Sequence, residues 1–359
     1  MKAELKNISF LFKSVSMKKT LFVHLVFIIL FVPACSLNVQ AEPDIFIRVN
    51  QLGFLPEDFK TAVILSNLNL AGNDAELINN ASNDEVYSCS LGKSLGAYGN
   101  FKFSYEIDFS PVTTNGNYYI EISNKKSLNF SIKKNVYNGL ADTLLQFFRV
   151  QRCGYTDPYL HKVCHIADAS SLIENGKVIN KTYDITGGWH DAGDYVKFLN
   201  TTAYATYMLL FSYDFDPAKF GFDKNKNNVA DVLEEAKIGL DWLLRCNIDG
   251  KKLITQVQDL RDHDVGWRMP EDDQLGFDRP AFIGVGKNLI GIYSAALALG
   301  GRIWRDVMNY KEFSDKCLQT AEKFYAIKDR VPDVDSTGTG MYIDKNYEGK
   351  LSLGAIELY

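Results

Sequence analysis

Residues 187–198 read GGWHDAGDYVKF and place Asp191 and Asp194 three positions apart, directly after His190. A surface turn is the plain interpretation, because turns favour glycine and small polar residues. A turn that only reverses the chain does not need large aromatic neighbours, however. This one has three of them: Trp189, Tyr195 and Phe198. The stretch therefore favours a packed loop in which both carboxylates serve a function.

The composition indicates a globular chain with an acidic balance. Of its 359 residues, 46% are hydrophobic, 13% are aromatic and 23% are charged, which argues against a disordered protein. This length leaves room for two or three domains of about 100 to 200 residues. The net charge of -5 and the lack of a basic stripe argue against a nucleic-acid partner. The aromatic excess suits a groove for a flat apolar ligand such as a sugar.

The N-terminus has the pattern of an export signal. The apolar run LFVHLVFIILFVPA, residues 21–34, follows two lysines and, at about 14 residues, is too short for a membrane span of about 20. We expect residues 1–41 to be a targeting region, cleaved after Ala41 or, if VPAC acts as a bacterial lipobox, before Cys35. The mature chain is then secreted, periplasmic or a cell-surface lipoprotein, and any membrane contact is limited to a lipid on Cys35.

Residues 44–134 alternate with the period of a β-strand. In FKFSYEIDF, residues 101–109, every second residue is apolar, and the same alternation follows the Asn115–Gly116 turn signal in GNYYIEI. Several short strands separated by turns predict a β-sandwich.

Beyond residue 135 the period becomes that of a helix. The stretch 231–245, for example, carries one apolar stripe at spacings of three and four. The pattern shows no alternation of strands and helices, so we predict an all-helical domain over residues 136–359. The predicted helices lie at 136–151, 201–215, 231–245, 288–304 and 313–327.

Two stretches resemble one enzyme family. IRVNQLGFLPEDFKTAVI, residues 47–64, resembles the start of the immunoglobulin-like domain that precedes the catalytic domain in many bacterial cellulases of glycoside hydrolase family nine. GGWHDAGDYVKF resembles the signature of that catalytic domain. The resemblance covers residues 45–359. It implies an immunoglobulin-like β-sandwich followed by an (α/α)6 barrel, in a monomer that hydrolyses β-1,4-glucan of the cellulose type with inversion.

The resemblance also implies roles for the two aspartates. An inverting glycosidase needs one carboxylate that deprotonates a water and a carboxylic acid, about 6.5 to 9.5 Å away, that protonates the leaving oxygen. Asp191 and Asp194 are too close in sequence to be that pair across a sugar. By resemblance, Asp194 is the general base and Asp191 orients the same water.

The end of the chain departs from the family pattern. The general acid of the family is a glutamate in the last third of the catalytic domain, and neither Glu348 nor Glu357 has a similar context. We therefore expect an apparently incomplete barrel and a fragment without the general acid. The alternatives are a non-catalytic glucan-binding protein, an inactive fragment, or an enzyme of this fold that acts on chitosan-derived or short β-glucoside chains.

A second candidate site consists of Cys153, Cys164, His165 and His190. Two thiolates and two imidazoles form a tetrahedral zinc set, although this spacing is not a common finger pattern. From the residues alone, a Cys153–Cys164 disulfide is the alternative in an exported chain. Family members with the immunoglobulin-like domain bind a structural zinc through two cysteines and two histidines, and the resemblance implies the same here. Such a site would fix the backbone next to Asp191.

A third candidate site is DKNKNNVADVLE, residues 223–234, in which side-chain oxygens fall at positions 1, 3, 5, 9 and 12 of a calcium loop. Position 6 is Asn228 instead of the usual glycine. The alternative is a helix start with Asn228 as its N-cap and Asp231 at the third helical position. The candidate calcium ligands are Asp223, Asn225, Asn227, Asp231 and Glu234.

The stretch RDHDVGWRMPEDDQLGFDRPAF, residues 261–282, resembles a family segment that lines the substrate cleft. We expect Trp267 to stack on a glucosyl ring and His263 or Arg268 to bind sugar hydroxyls. The alternative is a Trp267 buried inside a long loop.

Overall fold

The computed structural model describes residues 45–179, 181–258, 260–273, 279–336 and 344–359. The chain divides into two compact units between Val136 and Tyr137. The expected targeting region, residues 1–41, and Cys35 lie outside the described residues. In the part of the chain that the structure describes, no helix has both the length and the apolar character needed to cross a membrane.

The first unit is a β-sandwich. Its strands are β1 (Ile45–Val49), β2 (Thr61–Ser66), β3 (Asp74–Asn79), β4 (Glu85–Ser90), β5 (Gly96–Tyr98), β6 (Phe101–Asp108), β7 (Gly116–Ile122), β8 (Lys125–Lys126) and β9 (Phe130–Ile132). One antiparallel sheet has the order β1-β2-β6-β5. The other has the order β4-β3-β7-β8, and β9 also pairs with β7.

The alternation of the strands builds the core of this unit. In β6, Tyr105 and Ile107 are buried, whereas Glu106 between them is exposed. Ile120 of β7 belongs to the same apolar cluster, and so does Ile64 of β2. Because side chains at every second position of a strand share one face, the two sheets bury these faces against each other. The sandwich expected from the period of two is confirmed.

The second unit is built from helices. They are α1 (Leu140–Gln151), α2 (Leu199–Phe215), α3 (Pro217–Phe220), α4 (Asp231–Arg245), α5 (Lys287–Asp306), α6 (Lys311–Tyr325) and α7 (Glu348–Leu358). All five predicted helices are present. The sequence pattern did not predict α3 and α7.

Helix α5 is the centre of this unit, and it packs against α2, α6 and α7. Small residues allow its neighbours to approach closely. A Cβ atom on Gly300 would lie 2.7 Å from a methyl carbon of Leu240, and one on Gly301 would lie 2.6 Å from Leu318. Side chains larger than glycine at these positions would therefore push the neighbouring helices away.

The helical unit also contains a sheet that the sequence pattern did not predict. Its strands are β10 (Leu172–Glu174), β11 (Lys177–Ile179), β12 (Lys197–Phe198), β13 (Asn247–Ile248), β14 (Lys252–Val257) and β15 (Ala281–Gly284). The order is β11-β10-β15-β14-β12, with β13 beside β14. Most of these strands have only two to four residues, which is too short to show an alternation in the sequence.

We expect Gly239→Ala to destabilise the protein. In an open helix, alanine is favoured over glycine by about 1 kcal/mol. At this position in α4, however, a Cβ atom would meet the side chain of Thr206 and would lie 2.6 Å from the ring of Trp189. Overpacking of this kind costs about 1 to 3 kcal/mol, so the free energy of unfolding, measured in urea, should fall.

Gly349 in α7 provides the matched control, because no atom lies within 4 Å of a Cβ placed there. Gly349→Ala should leave the free energy of unfolding unchanged or slightly higher. Equal stability of the two variants would contradict the close approach of α4 to Trp189.

Candidate functional site

The loop of residues 187–198 forms a tight turn around its two aspartates. The amide of Asp191 donates to the carbonyl of Val196 at 2.8 Å and closes the turn. The amide of Val196 donates to Asp194 Oδ1 at 3.4 Å. Thr201, in the first turn of α2, donates its hydroxyl to Asp191 Oδ1 at 2.9 Å. The turn thus holds both aspartates in one hydrogen-bonded loop and attaches Asp191 to a helix.

A cavity of about 110 Å³ lies beside Asp191. Side chains of α1 and α2 form its walls together with the loop. Since a water molecule takes up about 30 Å³ in the liquid, the cavity suits a few waters next to this carboxylate. Its lining residues are Phe147, Phe148, Gln151, Trp189, His190, Asp191, Thr201, Thr202 and Ala205.

Backbone hydrogen bonds align the loop with the end of α1. The amide of Cys153 donates to the carbonyl of Gly188 at 2.9 Å, and the amide of His190 donates to the carbonyl of Gln151 at 2.8 Å. The amide of Gly154 then donates to the carbonyl of Cys164 at 3.1 Å. Three segments of the chain are therefore paired at one place, and each brings a candidate metal ligand.

The four candidate zinc ligands converge. One ligand atom from each of Cys153, Cys164, His165 and His190 lies within 4.8 Å of the others. His190 Nε2 is 3.1 Å from His165 Nδ1 and 3.8 Å from Cys164 Sγ. Both cysteines are free thiols in this structure, not a disulfide. Two sulfurs and two imidazole nitrogens in this arrangement fit a four-coordinate zinc ion, and protein atoms fill all four positions.

Neighbouring side chains favour the metal-binding forms of His165 and Cys153. His165 Nε2 lies 2.9 Å from Asp273 Oδ2, which leaves Nδ1 to face the cluster, as is common for metal-binding histidines. The hydrogen bond from Cys164 and the positive charge of Lys197 hold the pKa of the Cys153 thiol well below its usual range. The thiolate form, which is the form that binds metal, is thus favoured at Cys153, whereas the same hydrogen bond and burial raise the pKa of Cys164.

Buried charges of alternating sign extend from the Cys153 side of this cluster. Asp168 pairs with Lys197 at 2.8 Å and with Arg279 at 2.7 Å. Arg279 also donates to Asp262 at 2.8 Å. Burial disfavours the charge of Lys197, but the carboxylate of Asp168 and the thiolate of Cys153 outweigh that effect and raise the pKa of this lysine.

The chain of ion pairs ends at His165, which is another of the four candidate zinc ligands. Arg268 donates to Asp262 and, at 2.6 Å, to Asp273. Asp273 contacts His165, as described above. The ion pairs therefore run from one candidate metal ligand to another. We call these six side chains the charge ring: Asp168, Lys197, Arg279, Asp262, Arg268 and Asp273.

Tyr195 is held between the charge ring and the metal cluster. Its ring centroid is 4.9 Å from that of His190 and 5.1 Å from that of His165. Its hydroxyl donates to the carbonyl of Arg268, and its own carbonyl accepts a hydrogen bond from Arg279. Its φ of 58° is uncommon for a residue with a side chain. These contacts stabilise the backbone at the position that follows the second aspartate.

Glu235 supports the other end of the loop from α4. Its carboxylate is fully buried and accepts a hydrogen bond from Trp189 Nε1 at 2.8 Å. Arg152 donates to the same carboxylate at 2.7 and 3.2 Å. One signal in the sequence could have indicated Glu235. It directly precedes Ala236, which belongs to the apolar stripe of α4.

The candidate calcium loop brings four of its five predicted ligands into one network. Asn225 and Asn227 both donate side-chain hydrogen bonds to Glu234. Asp223 accepts the amides of Asn227 at 3.1 Å and Asn228 at 2.9 Å.

The fifth predicted calcium ligand, Asp231, turns inward. Its Oδ1 accepts the amide of Lys224 at 3.3 Å, and its Oδ2 lies 3.6 Å from Arg149. Burial and a hydrogen bond with Asp142 raise the pKa of Asp231 to about 6. Helix α4 begins at Asp231 with Ala230 as its N-cap, so Asn228 is not the cap that the alternative required.

The candidate sugar contacts have different surroundings. Trp267 is 81% exposed, which excludes the buried alternative and leaves its indole accessible. Arg268 belongs to the charge ring, where two carboxylates hold its guanidinium. The side chain of His263 lies outside the described residues, as do residues 274–278 of the same segment.

We expect Glu235→Gln to destabilise the protein strongly. It removes the carboxylate that pairs with Arg152, whose side chain is only 12% exposed. Breaking a buried ion pair from one side costs about 3 to 5 kcal/mol. Asp241→Asn, in the exposed Lys237–Asp241 pair of the same helix, is the control and should cost about 0 to 1 kcal/mol. Urea unfolding measures both changes, and equal effects would contradict the supporting role of Glu235.

Comparison with known proteins identifies both units. Residues 137–359 match the sequence model of Glycosyl hydrolase family 9, and residues 42–127 match the cellulase N-terminal ig-like domain. Endoglucanase D of Acetivibrio thermocellus is 26% identical over 311 residues, covering 82% of this chain and 47% of that protein. A xyloglucan-specific endo-beta-1,4-glucanase of Bacteroides ovatus is 28% identical over 373 residues, covering 91% of this chain and 59% of that protein.

A solved structure agrees with these matches. The crystal structure of a metagenome-derived glycoside hydrolase family 9 endoglucanase superimposes with a TM-score of 0.72 at 25% identity, covering 88% of this chain and 61% of that one. The predicted fold class, an immunoglobulin-like sandwich followed by an (α/α)6-type helical domain, is thereby confirmed. The chain spans about half the length of the curated relatives it matches. Because the family model covers more than half of the chain, this protein belongs to glycosyl hydrolase family 9.

Proposed function

We propose that this protein takes part in the inverting hydrolysis of β-1,4-glucan chains of the cellulose type. The observation that carries the proposal is the turn at residues 187–198, which holds Asp191 and Asp194 in one hydrogen-bonded loop and attaches Asp191 to Thr201. The names of the relatives support a β-glucan substrate, since they include an endoglucanase and a xyloglucan-specific endo-beta-1,4-glucanase. Trp267 offers an exposed indole face on which a sugar ring can stack.

In this proposal the turn supplies the water-activating half of the reaction. Asp194 accepts a proton from a water molecule, and the oxygen of that water attacks the anomeric carbon from the face opposite the leaving group. Asp191, which Thr201 holds in place, orients the same water. A carboxylic acid about 6.5 to 9.5 Å away protonates the leaving oxygen.

We assign the general-acid role to no residue of this chain. Glu357 accepts a hydrogen bond from Tyr207 at 2.9 Å and pairs with Arg302 at 3.3 Å. An exported location, with Cys35 as a possible lipid attachment point, fits the targeting pattern of residues 1–41 and a polymeric substrate that cannot enter a cell.

We also propose two structural metals. Zinc is held by Cys153, Cys164, His165 and His190, and it stabilises the backbone of the loop without taking part in proton transfer. Calcium is held by Asp223, Asn225, Asn227 and Glu234, which hydrogen bonds already join in one network at the start of α4. Asp231 joins this set only if it leaves its contacts with Lys224 and Arg149.

In a version of this protein that also supplies the general acid, Asp194→Asn should abolish most of the hydrolysis and leave glucan binding intact, because it removes the proton acceptor and keeps the shape. We expect a loss of about 10² to 10⁴-fold in the release of reducing ends from soluble β-1,4-glucan, and a smaller loss for Asp191→Asn. Binding is measured by affinity electrophoresis in the same glucan.

Asp306→Asn, at an exposed position of α5, is the control and should keep the original rate. A normal rate in Asp194→Asn would contradict the base assignment. If the unmodified protein binds glucan and releases no reducing ends, the non-catalytic glucan-binding alternative is favoured instead.

Elemental analysis of the purified protein should find about one zinc ion per chain. Cys164→Ser should lower the zinc content and the melting temperature, because it removes a ligand and loosens the loop. Cys89→Ser, in strand β4 of the sandwich, should retain the zinc. The same measurement should show calcium that is lost in Glu234→Gln. Absence of zinc, together with a Cys153–Cys164 disulfide in a peptide map, would contradict the zinc proposal.

A further inference from the structure

Lys197 is a fully buried lysine three positions after Asp194. Its ammonium donates to the carbonyl of Ile185 at 3.1 Å and to that of Gly187 at 3.0 Å. It also lies 2.8 Å from Asp168 Oδ2 and 3.7 Å from Cys153 Sγ. All of these partners are acceptors, and the one from Asp168 is a buried carboxylate oxygen.

The position of these acceptors gives the lysine a specific role. Residues 185 and 187 lead into the loop that carries the two aspartates, and Lys197 itself leads out of it. The ammonium therefore bridges the two ends of the loop. We call this place, where Lys197 contacts the carbonyls of Ile185 and Gly187, the neck of the loop. A lysine suits this task because its compact head has three donors that can point to acceptors in different directions, whereas an arginine presents a planar fork.

The contact with Cys153 connects the neck to the candidate metal site. His190 lies inside the loop, and Cys153 lies outside it, after the end of α1. The loop is thus held to the metal cluster at two places: His190 near its middle and Lys197 at its exit. Asp191 and Asp194 lie between these two points in the chain, so both attachments constrain their backbone.

We propose that Lys197 is a positioning residue, which closes the neck of the loop and ties it to Cys153, so that Asp191 and Asp194 keep their places. The importance of this role for hydrolysis rests on the function proposed above. The closure of the loop does not rest on that function and can be measured without a glucan.

The test compares Lys197→Met with Lys60→Met. Met removes the charge and the donors and approximately keeps the length of the side chain. Lys60 is an equally buried lysine, but it lies in the sandwich and donates to the carbonyls of Pro56 and Asp58. Hydrogen exchange followed by mass spectrometry reports on the amides of residues 187–197. Competition with a chromophoric chelator reports zinc affinity.

We expect Lys197→Met to speed exchange in residues 187–197 by about tenfold or more, because the neck can then open locally. Exchange in α4 and α5 should stay as it is, which distinguishes lost positioning from general destabilisation. Zinc affinity should fall by about 10 to 100-fold, as for other partners of metal ligands. Lys60→Met should change neither readout.

Two further results complete the test. Asp168→Asn weakens the hold on the same ammonium and should shift both readouts in the same direction, so it carries the test if Lys197→Met does not fold. If the unmodified protein hydrolyses glucan, Lys197→Met should lower kcat and leave KM close to its original value.

The proposal would be overturned if Lys197→Met and Asp168→Asn gave the same results as Lys60→Met. The results compared are the hydrogen-exchange rates of residues 187–197 and the zinc affinity. Failure of hydrolysis in the unmodified protein would count against the function proposed above. The hydrogen-exchange result for the neck of the loop would not be affected by that failure.

Discussion

The buried ion pair between Lys197 and Asp168 is the contact on which the candidate site depends. A charge without a partner is strongly disfavoured inside a protein, so these two side chains require each other. Around this pair lie the sulfur of Cys153, two carbonyls of the loop neck and the guanidinium of Arg279. The candidate metal cluster, the turn with the two aspartates and the end of α1 are all held by groups that contact this pair directly or through one neighbour.

The helices provide the rigid frame for these contacts, and the functional side chains lie between them. Helix α5 packs closely against its neighbours through small residues, and α4 supports the loop through Glu235 and Gly239. The two aspartates and the four candidate zinc ligands lie in connections outside the helices. A loop needs added constraints to hold such groups still, and here the constraints are a charge network, a short sheet and a candidate metal cluster.

The charge ring shows why part of the site could not be predicted. Asp168 lies far in sequence from Asp262, Asp273 and Arg279, which all belong to the stretch 261–282. Nothing in their local sequence separates these four residues from charged residues on a surface. His263 or Arg268 was predicted to bind sugar hydroxyls because the segment resembles a family segment that lines the cleft, yet two carboxylates occupy the guanidinium of Arg268. Lys197 was visible inside the decisive motif, but its burial was not.

The amino-acid sequence by itself determined the sandwich, the main helices, the paired aspartates and the set of cysteines and histidines. These features depend on periodicity, on residue type and on short spacings, which are local properties of a chain. The tertiary structure alone decided which charges are buried and which partners they have. It also buried Asp231 beside Arg149 and added short strands that carry no sequence pattern. The physical reason is that burial depends on distant segments: Arg279 pairs with Asp168 across 111 positions.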